Sequence, residues 1–591
     1  MKKYIVVTSL LVFAAVILNS CKKDFLERYP LDEISNETFW NTENDLIIYN
    51  NGLYNTAASD NVHLIQGHST NLGSYLYSPW YQDEFSDNTV TNNKPRHDVF
   101  ALTRSGHEPV PTVNQPYGWG GWSFVRAVNI GLANYQHAHL PQETIDKYAG
   151  EARLFRGWFY GDKVSKFGDV PWIGHELNTN SEELYGPRMP RQQAMDSVLA
   201  DLNFACEKLP DDWGDGNAPG RLNRWAALLV KSRICLFEGT WRKYHGGTNP
   251  EMWLQQAAAA AKDLIDNGPY HLYSTGDPLH DYNAYQRATD LTGNSEVIYW
   301  RKYEQGVINT NVIPYFRNLN GGATKSMVED YLCTDGLPIS LSPLYKGDAQ
   351  IEDVFQNRDP RLRQSILDPV DQAYYNYDND LSYSYPRLTG MPGGSPSSSG
   401  YTIIKNYESV AAGTAFNTST TPAITLRLGE ALLNYAEAKA ELGTITQEDL
   451  DKSINKLRDR VAMPLMEINN IPVDPRYTKD GVSPLIIEIR RERRVELFNE
   501  GFRYDDLRRW KQGKKLEIPS MGILWDNVAQ ARYKKAKVKS SVDPVSGKTY
   551  IDVYKGTSFD NPVFDESKDY LWAIPLNALS QNPNLKQNPG W

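Results

Sequence analysis

Segments with helical periodicity, separated by long stretches without it, most constrain how this chain folds. Apolar residues recur every three or four positions in residues 223–237 and again in residues 428–442. Residues 253–267 contain an alanine run and end before a Gly-Pro pair, which is a typical helix stop. Residues 148–166 and the charged residues 485–510 are predicted helices as well. The pattern predicts a mainly α fold.

The stretches between the helices have a different composition. Residues 60–120 and 270–420 are rich in Tyr, Asn, Ser, Gly and Pro and lack helical periodicity. Long irregular insertions on a helical body usually carry binding groups. Tyr (36) outnumbers Phe (18) two to one, and rings with polar groups suit wet recognition surfaces such as glycan sites. The alternative is that most rings pack in the core, and we expect roughly two-thirds or more of them to do so.

The N-terminus has the features of an export signal. Lys2 and Lys3 precede an apolar run over residues 5–18, which is too short for a mature membrane helix. Cys21 follows at the expected cleavage point, so we predict a lipoprotein with a signal peptide at residues 1–20 and a lipid-anchored Cys21. In the alternative, the signal peptide is an ordinary one and Cys21 is incidental.

Charge and cysteine content exclude some classes of protein. The formal net charge of −10 argues against a nucleic-acid binder, which normally carries a basic surface. Beyond residue 20 no apolar stretch approaches the roughly 20 residues of a membrane helix, so membrane attachment is expected through the lipid alone. Cys206, Cys235 and Cys333 remain, and whether Cys206 and Cys235 form a disulfide is left open.

Motifs for catalysis and metal binding are missing. The sequence has no H-E-x-x-H, G-x-S-x-G or P-loop motif, so no catalytic residue, metal or cofactor is expected. A glycoside hydrolase needs only two carboxylates, which a sequence cannot exclude, and Asp83, Glu84 and Asp87 are candidates. In residues 490–509, acidic residues alternate with arginines at helix-neighbour spacing, which favours a solvated or inter-repeat ion-pair network over an anion site.

Several motifs occur together in a recognisable order. They are residues 22–27 with 30–32 and 38–40, residues 151–160 with 167–172, residues 426–438, residues 490–498 with 501–510, and residues 574–575 with 582–591. With these motifs the chain resembles the SusD/RagB family of outer-membrane nutrient-uptake lipoproteins from Bacteroidetes.

The resemblance implies one large domain built on four tetratricopeptide-type helix-hairpin repeats with long irregular loop insertions. Its N-terminal part would cover about residues 21–270 and its C-terminal part about residues 271–591. No clean 34-residue period is visible in the sequence itself. The family implies a non-catalytic protein on the cell surface that captures a glycan in partnership with a TonB-dependent transporter barrel. A peptide- or glycopeptide-binding member of the family is the nearest alternative, and a surface glycoside hydrolase is the alternative from another class.

The resemblance also points to two regions that bind the ligand. The first region is the loop after the N-terminal helices. Its expected stacking rings are Tyr75, Trp80 and Tyr81, and its expected hydrogen-bonding groups are Asp87, Asn88, Asn92 and Asn93. In the second, near residues 300–325, the expected ligand-binding residues are Tyr303, Tyr315 and Phe316. The sequence has no tryptophan between Trp300 and Trp510, which departs from the starch-binding member's pattern. This departure argues against starch as the specific ligand.

Overall fold

The computed structural model describes most of the chain beyond its first 38 residues. The described residues are 39–59, 62–65, 67–68, 79–91, 98–114, 118–214, 220–310, 321–370, 386–391, 397–406 and 417–591, with the backbone alone for residues 79–81 and 98–101.

Helices dominate the described part, as the periodicity predicts. In the N-terminal half they are α1 (Glu43–Ala57), α2 (Asp98–Ser105), α3 (Trp122–Asn134), α4 (Gln142–Phe167), α5 (Arg191–Lys208), α6 (Arg224–His245), α7 (Pro250–Asn267) and α8 (Asp281–Ala284). In the C-terminal half they are α9 (Lys325–Asp330), α10 (Ile351–Val354), α11 (Pro360–Ser365), α12 (Leu428–Glu441), α13 (Gln447–Lys452), α14 (Ile454–Arg460), α15 (Pro484–Glu496), α16 (Arg503–Arg509), α17 (Asn527–Arg532) and α18 (Leu576–Gln581).

The long helices pack side by side. α4 lies along α5 and α6 along α7, and α12 packs against both α7 and α15. The Asn223 side chain caps α6 by accepting a hydrogen bond from the Ala226 N–H, and α6 stops at left-handed Gly246. Where α6 meets α7, a Cβ on Gly239 would lie 2.8 Å from Leu254 Cγ, so only glycine allows this close contact. Hairpin packing of this kind is consistent with a helical-repeat body, and the four-repeat assignment remains a prediction.

One predicted helix is wrong in its extent. Residues 485–510 form two helices, α15 and α16, rather than one. Between them Asn499 and Gly501 both have positive φ, 61° and 86°, and a right-handed helix cannot continue through such residues. The break turns α16 back toward α6, against which it packs.

Strands are short, and some of them pair across large separations in sequence. They are β1 (Thr89–Val90), β2 (Val297–Arg301), β3 (Gly322–Ala323), β4 (Ala423–Arg427), β5 (Met521–Leu524), β6 (Ser540–Val542) and β7 (Thr549–Asp552). β1 pairs with β3, β2 with β4, and β7 with both β5 and β6, all antiparallel. The expected mainly α fold in one domain with irregular insertions is confirmed.

The arginine-rich helix α15 lies in the interior. Arg490, Arg491, Arg493 and Arg494 are all buried, and each pairs with a carboxylate from another part of the chain. Arg493, for example, donates two hydrogen bonds to Asp506 of α16 at 3.0 and 2.9 Å. The arginines of α15 and their carboxylate partners thus form a buried inter-helix ion-pair network and not a solvated surface.

Most described aromatic rings are buried, as expected. Tyr185 is the described aromatic residue with more than a third of its surface exposed, at 58%. Cys206, Cys235 and Cys333 are free thiols, so the Cys206–Cys235 disulfide is not formed. Across the described ranges, no helix has both the length and the apolar character needed to cross a bilayer.

Candidate functional site

The two predicted ligand regions meet in the structure. We call residues 62–68 and 79–91, where described, the first loop, and residues 301–310 and 321–324 the second loop. β1 of the first loop pairs with β3 of the second, with Thr89 opposite Ala323. Next to this pair, the Thr324 hydroxyl donates a hydrogen bond to the Asp87 carbonyl at 2.6 Å. We call the surface that the two loops form the two-loop face.

His68 and Tyr303 make a second contact between the loops. The Tyr303 hydroxyl donates a hydrogen bond to the His68 carbonyl at 2.9 Å, and the two rings stack with centroids 6.1 Å apart. His68 Nε2 lies 3.1 Å from the Pro422 carbonyl, and burial lowers the His68 pKa to about 4. The imidazole is therefore neutral near pH 7.

Gly67 is required for this contact. A Cβ at position 67 would lie 2.0 Å from the Tyr303 hydroxyl and 2.4 Å from Arg301 Cδ, so any side chain would push the two loops apart. No signal in the sequence distinguishes Gly67 from other loop glycines, because its close neighbours lie more than 230 positions away.

Asp87 and Asn88 attach the first loop to the helical body. Asp87 accepts hydrogen bonds from Arg503 at 2.7 and 3.0 Å and also pairs with Arg494. Asn88 Oδ1 accepts a hydrogen bond from Arg494 Nε at 2.8 Å. Burial alone would raise the Asp87 pKa, but the two guanidinium groups hold that pKa well below its ordinary range. The carboxylate is therefore charged and already paired.

Asp83 and Glu84 of the first loop are buried as well. Asp83 accepts hydrogen bonds from the Asn499 N–H at 2.5 Å and the Asn88 amide at 3.3 Å. Burial raises the Asp83 pKa to about 6 and raises the Glu84 pKa well above its ordinary value. Both side chains are at most 6% exposed, so the three carboxylates considered for hydrolysis face the protein interior.

The predicted ligand residues divide into three groups. Asp87, Asn88 and Tyr303 are buried and bonded within the protein, so they hold the loops and offer no free group to a ligand. The backbone of Trp80 and Tyr81 lies in the 3₁₀ helix Pro79–Phe85, which Asp83 and Asp87 fix to the body. The remaining predicted ligand residues lie outside the described residues: Tyr75, Asn92, Asn93, Tyr315 and Phe316. The predicted anchor residue, Cys21, also lies outside them.

Beside the first loop, a cavity of about 170 Å³ opens between the helices, and no sequence pattern indicates it. We call it the inter-helix cavity. His63, Leu64 and Gln82 of the first loop form one side, and the other sides are formed by β4, the turn before α16 and the helices α4, α5, α6, α12, α15 and α16. Among the residues that the structure describes, no group of three or more His, Cys, Asp or Glu side chains is arranged to hold a metal ion.

Comparison with known families gives two matches. Residues 287–591 match the model described as the SusD family. Residues 24–236 match a model described as starch-binding and associating with the outer membrane.

Whole-chain relatives agree with these matches. A SusD-like protein of Bacteroides ovatus is 23% identical, with all of this chain and 97% of the relative aligned. SusD-like protein P2 of Formosa agariphila is 22% identical over the full length of both chains. The crystal structure of a SusD-like carbohydrate-binding protein from Bacteroides fragilis aligns with a TM-score of 0.69 at 23% identity, covering 93% of this chain and all of the other. At that identity the structural likeness establishes the fold alone.

Proposed function

Because the chain belongs to the SusD/RagB family, we propose that it is a cell-surface lipoprotein that captures a glycan and passes it to a TonB-dependent outer-membrane transporter. The protein would be anchored in the outer membrane by acyl chains on Cys21. The description of the N-terminal family model, which names starch binding and the outer membrane, supports this location and ligand class. The B. fragilis relative, which is named for carbohydrate binding, supports the ligand class too.

The observation that carries the proposal is the way the two loops hold each other. The β1–β3 pair and the His68–Tyr303 contact join them, and Asp87 fixes the first loop to Arg503 of the helical body. A recognition surface loses less entropy on binding when its loops are already ordered. The contacts among the described parts of the two loops therefore support our assignment of a recognition surface to this face.

Stacking would supply most of the affinity. A pyranose ring presents a face of C–H groups that packs on Trp or Tyr, while its hydroxyls bond to nearby polar groups. With Asp87, Asn88 and Tyr303 engaged inside the protein, the proposed ligand contacts are Tyr75, Trp80, Tyr81, Asn92, Asn93, Tyr315 and Phe316. No step of this function needs a catalytic group.

A binding experiment tests the proposal. The purified protein is run in native gels containing a panel of soluble polysaccharides, and each polysaccharide is then sized by gel filtration. Retardation by at least one polysaccharide with unchanged polymer length is expected. Shortening of the polymer would favour the hydrolase alternative. Failure to bind any polysaccharide, together with binding to a peptide library, would favour the peptide-binding alternative.

A separate experiment tests the transporter. The protein is isolated from gently solubilised outer membranes, and co-purifying proteins are identified. Recovery of a TonB-dependent barrel in stoichiometric amount is expected. A control preparation from cells producing Cys21→Ala shows how far the contact depends on the anchor. Recovery of the wild-type protein without any barrel would contradict the transporter part of the proposal.

A further inference from the structure

The inter-helix cavity is distinct from the two-loop face. Most of its walls come from the helical body and not from the loops, and they include Trp158 and Asp162 of α4, Arg233 of α6, Thr425 of β4, Phe502, and Asp505 of α16. None of the residues assigned above to the glycan lines it. Asp505 is the most exposed of its charged lining side chains, at 46%, and therefore marks the mouth.

Aromatic rings and charged groups both line this cavity. The centroid of the Phe502 ring lies 5.0 Å from the Arg233 guanidinium and 5.5 Å from that of Arg493. The centroid of the Trp158 ring lies 5.7 Å from the Arg233 guanidinium. The lining therefore combines apolar carbon with hydrogen-bonding groups, and a sugar ring carries C–H and hydroxyl groups that match both.

The charged groups of the lining are neutralised by one another or by close neighbours. Arg233 donates two hydrogen bonds of 2.6 Å to Glu430, and Arg427 pairs with Glu500. The remaining lining charges are also paired: Asp162 with Lys166, Arg191 with Glu238, Arg493 and Arg509 with Asp506, and Asp505 with Arg508. An ion entering the cavity would have to break one of these pairs, which is costly at buried sites. Hydroxyl groups of a neutral ligand can instead accept hydrogen bonds from the guanidinium groups and donate hydrogen bonds to the carboxylates while the ion pairs stay intact.

One lining group has unused hydrogen-bonding capacity. Thr425 Oγ1 is buried and has no hydrogen-bond partner among the described residues. Buried hydroxyls in folded proteins are nearly always paired. Because Thr425 lines the cavity, a rotation of its side chain would bring this unpaired hydroxyl within reach of a hydroxyl-bearing ligand.

Size restricts the ligand to a single ring. An apolar cavity of about 150 Å³ holds one benzene molecule. The inter-helix cavity, at about 170 Å³, therefore has room for about one six-membered ring.

We propose that the inter-helix cavity binds one uncharged pyranose unit, as a second sugar site beside the two-loop face. The unit is either a free monosaccharide or the end of an oligosaccharide. Leu64 and Gln82 belong to both the first loop and the cavity wall, so the two sites share a structural element. The inference rests on the proposed function only in taking the ligand to be a sugar.

The test uses saturation-transfer NMR on the full chain with glucose, galactose, mannose and xylose as probes. Glucuronate and glucosamine serve as charged comparisons. At least one neutral monosaccharide is expected to bind, and the charged ones are expected to bind at least tenfold more weakly or not at all. Absence of binding by every neutral monosaccharide, which would mean a cavity that holds only water, overturns the proposal. So does a preference for a charged sugar.

Two variants locate the binding. Asp505→Trp places a large ring at the mouth and should reduce monosaccharide affinity at least tenfold. The matched control is Glu207→Trp, which changes an exposed acidic residue of α5 that does not line the cavity, and this variant should bind as the wild type does.

Thr425→Val removes the unpaired hydroxyl at nearly constant shape and should lower the monosaccharide affinity about tenfold. Equal affinity in Asp505→Trp and Glu207→Trp, with both proteins folded by circular dichroism, overturns the assignment to this cavity.

A further comparison distinguishes a free monosaccharide from the end of an oligosaccharide as the ligand of the cavity. Oligosaccharides of the sugar that binds are compared with the monosaccharide in wild type and Asp505→Trp. If the cavity holds a chain end, the variant loses affinity for both; if it holds a free monosaccharide, only the monosaccharide affinity falls. This outcome is independent of polysaccharide retardation in gels, so failure of the cavity proposal and failure of the proposed function give different results.

Discussion

The carboxylate of Asp87 accepts two hydrogen bonds from the guanidinium of Arg503, at 2.7 and 3.0 Å, across 416 positions of sequence. Both side chains are buried, at 6% exposure each. The contact joins the first loop to helix α16, beside the turn at Gly501 that separates α16 from α15. A polar loop residue that looks suited to a ligand thus serves to fix the loop.

Asp87→Ala should destabilise the protein. Removing one partner of a buried pair leaves Arg503 charged and uncompensated, which typically costs about 3–5 kcal/mol. The free energy of unfolding, measured by urea denaturation, is expected to fall by that amount. The control is Asp266→Ala, which removes a partner of Lys262 from an exposed pair on α7 and should have a much smaller effect. Equal losses in the two variants would contradict the anchoring role of Asp87.

The buried carboxyl of Asp83 should make stability depend on pH. Burial raises its pKa in the folded state to about 6, from 3.8 for an ordinary aspartate. The folded protein therefore binds this proton more tightly than the unfolded chain does, so the group favours folding as the pH falls from about 7 toward 4. Above pH 7 its charge opposes folding by roughly 3 kcal/mol.

Asp83→Asn isolates that contribution. Buried His68 and His245 act in the opposite direction, because burial lowers their pKa values to about 4 and the unfolded chain binds their protons more tightly below pH 6.5. Their contribution cancels when variant and wild type are compared. The melting temperature of Asp83→Asn relative to wild type is expected to rise between pH 5 and pH 8. Asp196→Asn, at an exposed position on α5, should show no such trend, and a constant difference for Asp83→Asn would refute the prediction.

Trp80→Ala should weaken glycan binding. If the indole forms a stacking surface for the sugar, its loss should reduce affinity by about 1–3 kcal/mol, or roughly 5- to 150-fold, with little change in melting temperature. Affinity is measured by isothermal titration with the polysaccharide that is retarded in native gels. Tyr185→Ala removes an exposed ring that the proposal does not assign to the ligand, and it should bind normally. An unchanged affinity in Trp80→Ala would remove this residue from the site.

Cys21→Ala should abolish lipid attachment. Cells producing the variant are expected to yield a protein that incorporates no labelled fatty acid and is lost from the outer-membrane fraction. Cys206→Ala, which changes a half-buried thiol of α5, should leave labelling intact. Persistent labelling of Cys21→Ala would show that the lipoprotein assignment is wrong.

The sequence by itself determined the helical character of the fold and most of its long helices. The predicted helices at residues 223–237, 253–267 and 428–442 end within zero to eight residues of the ends of α6, α7 and α12. Helix-forming spacing and the Gly-Pro stop after residue 267 act over a few residues, so they can be read from the chain directly. The order of the family motifs likewise needed no coordinates.

The tertiary structure decided which polar and aromatic residues are available. Asp87, Asn88 and Tyr303 have the residue types of a sugar site, yet Arg503, Arg494 and His68 occupy their polar groups. These partners lie 235 to 416 positions away, and sequence periodicity carries no information about contacts at that separation. The inter-helix cavity also depends on how seven helices and strands and the first loop pack around a space. Local patterns determine helices because helical contacts are local, whereas burial and pairing are settled only when distant segments meet.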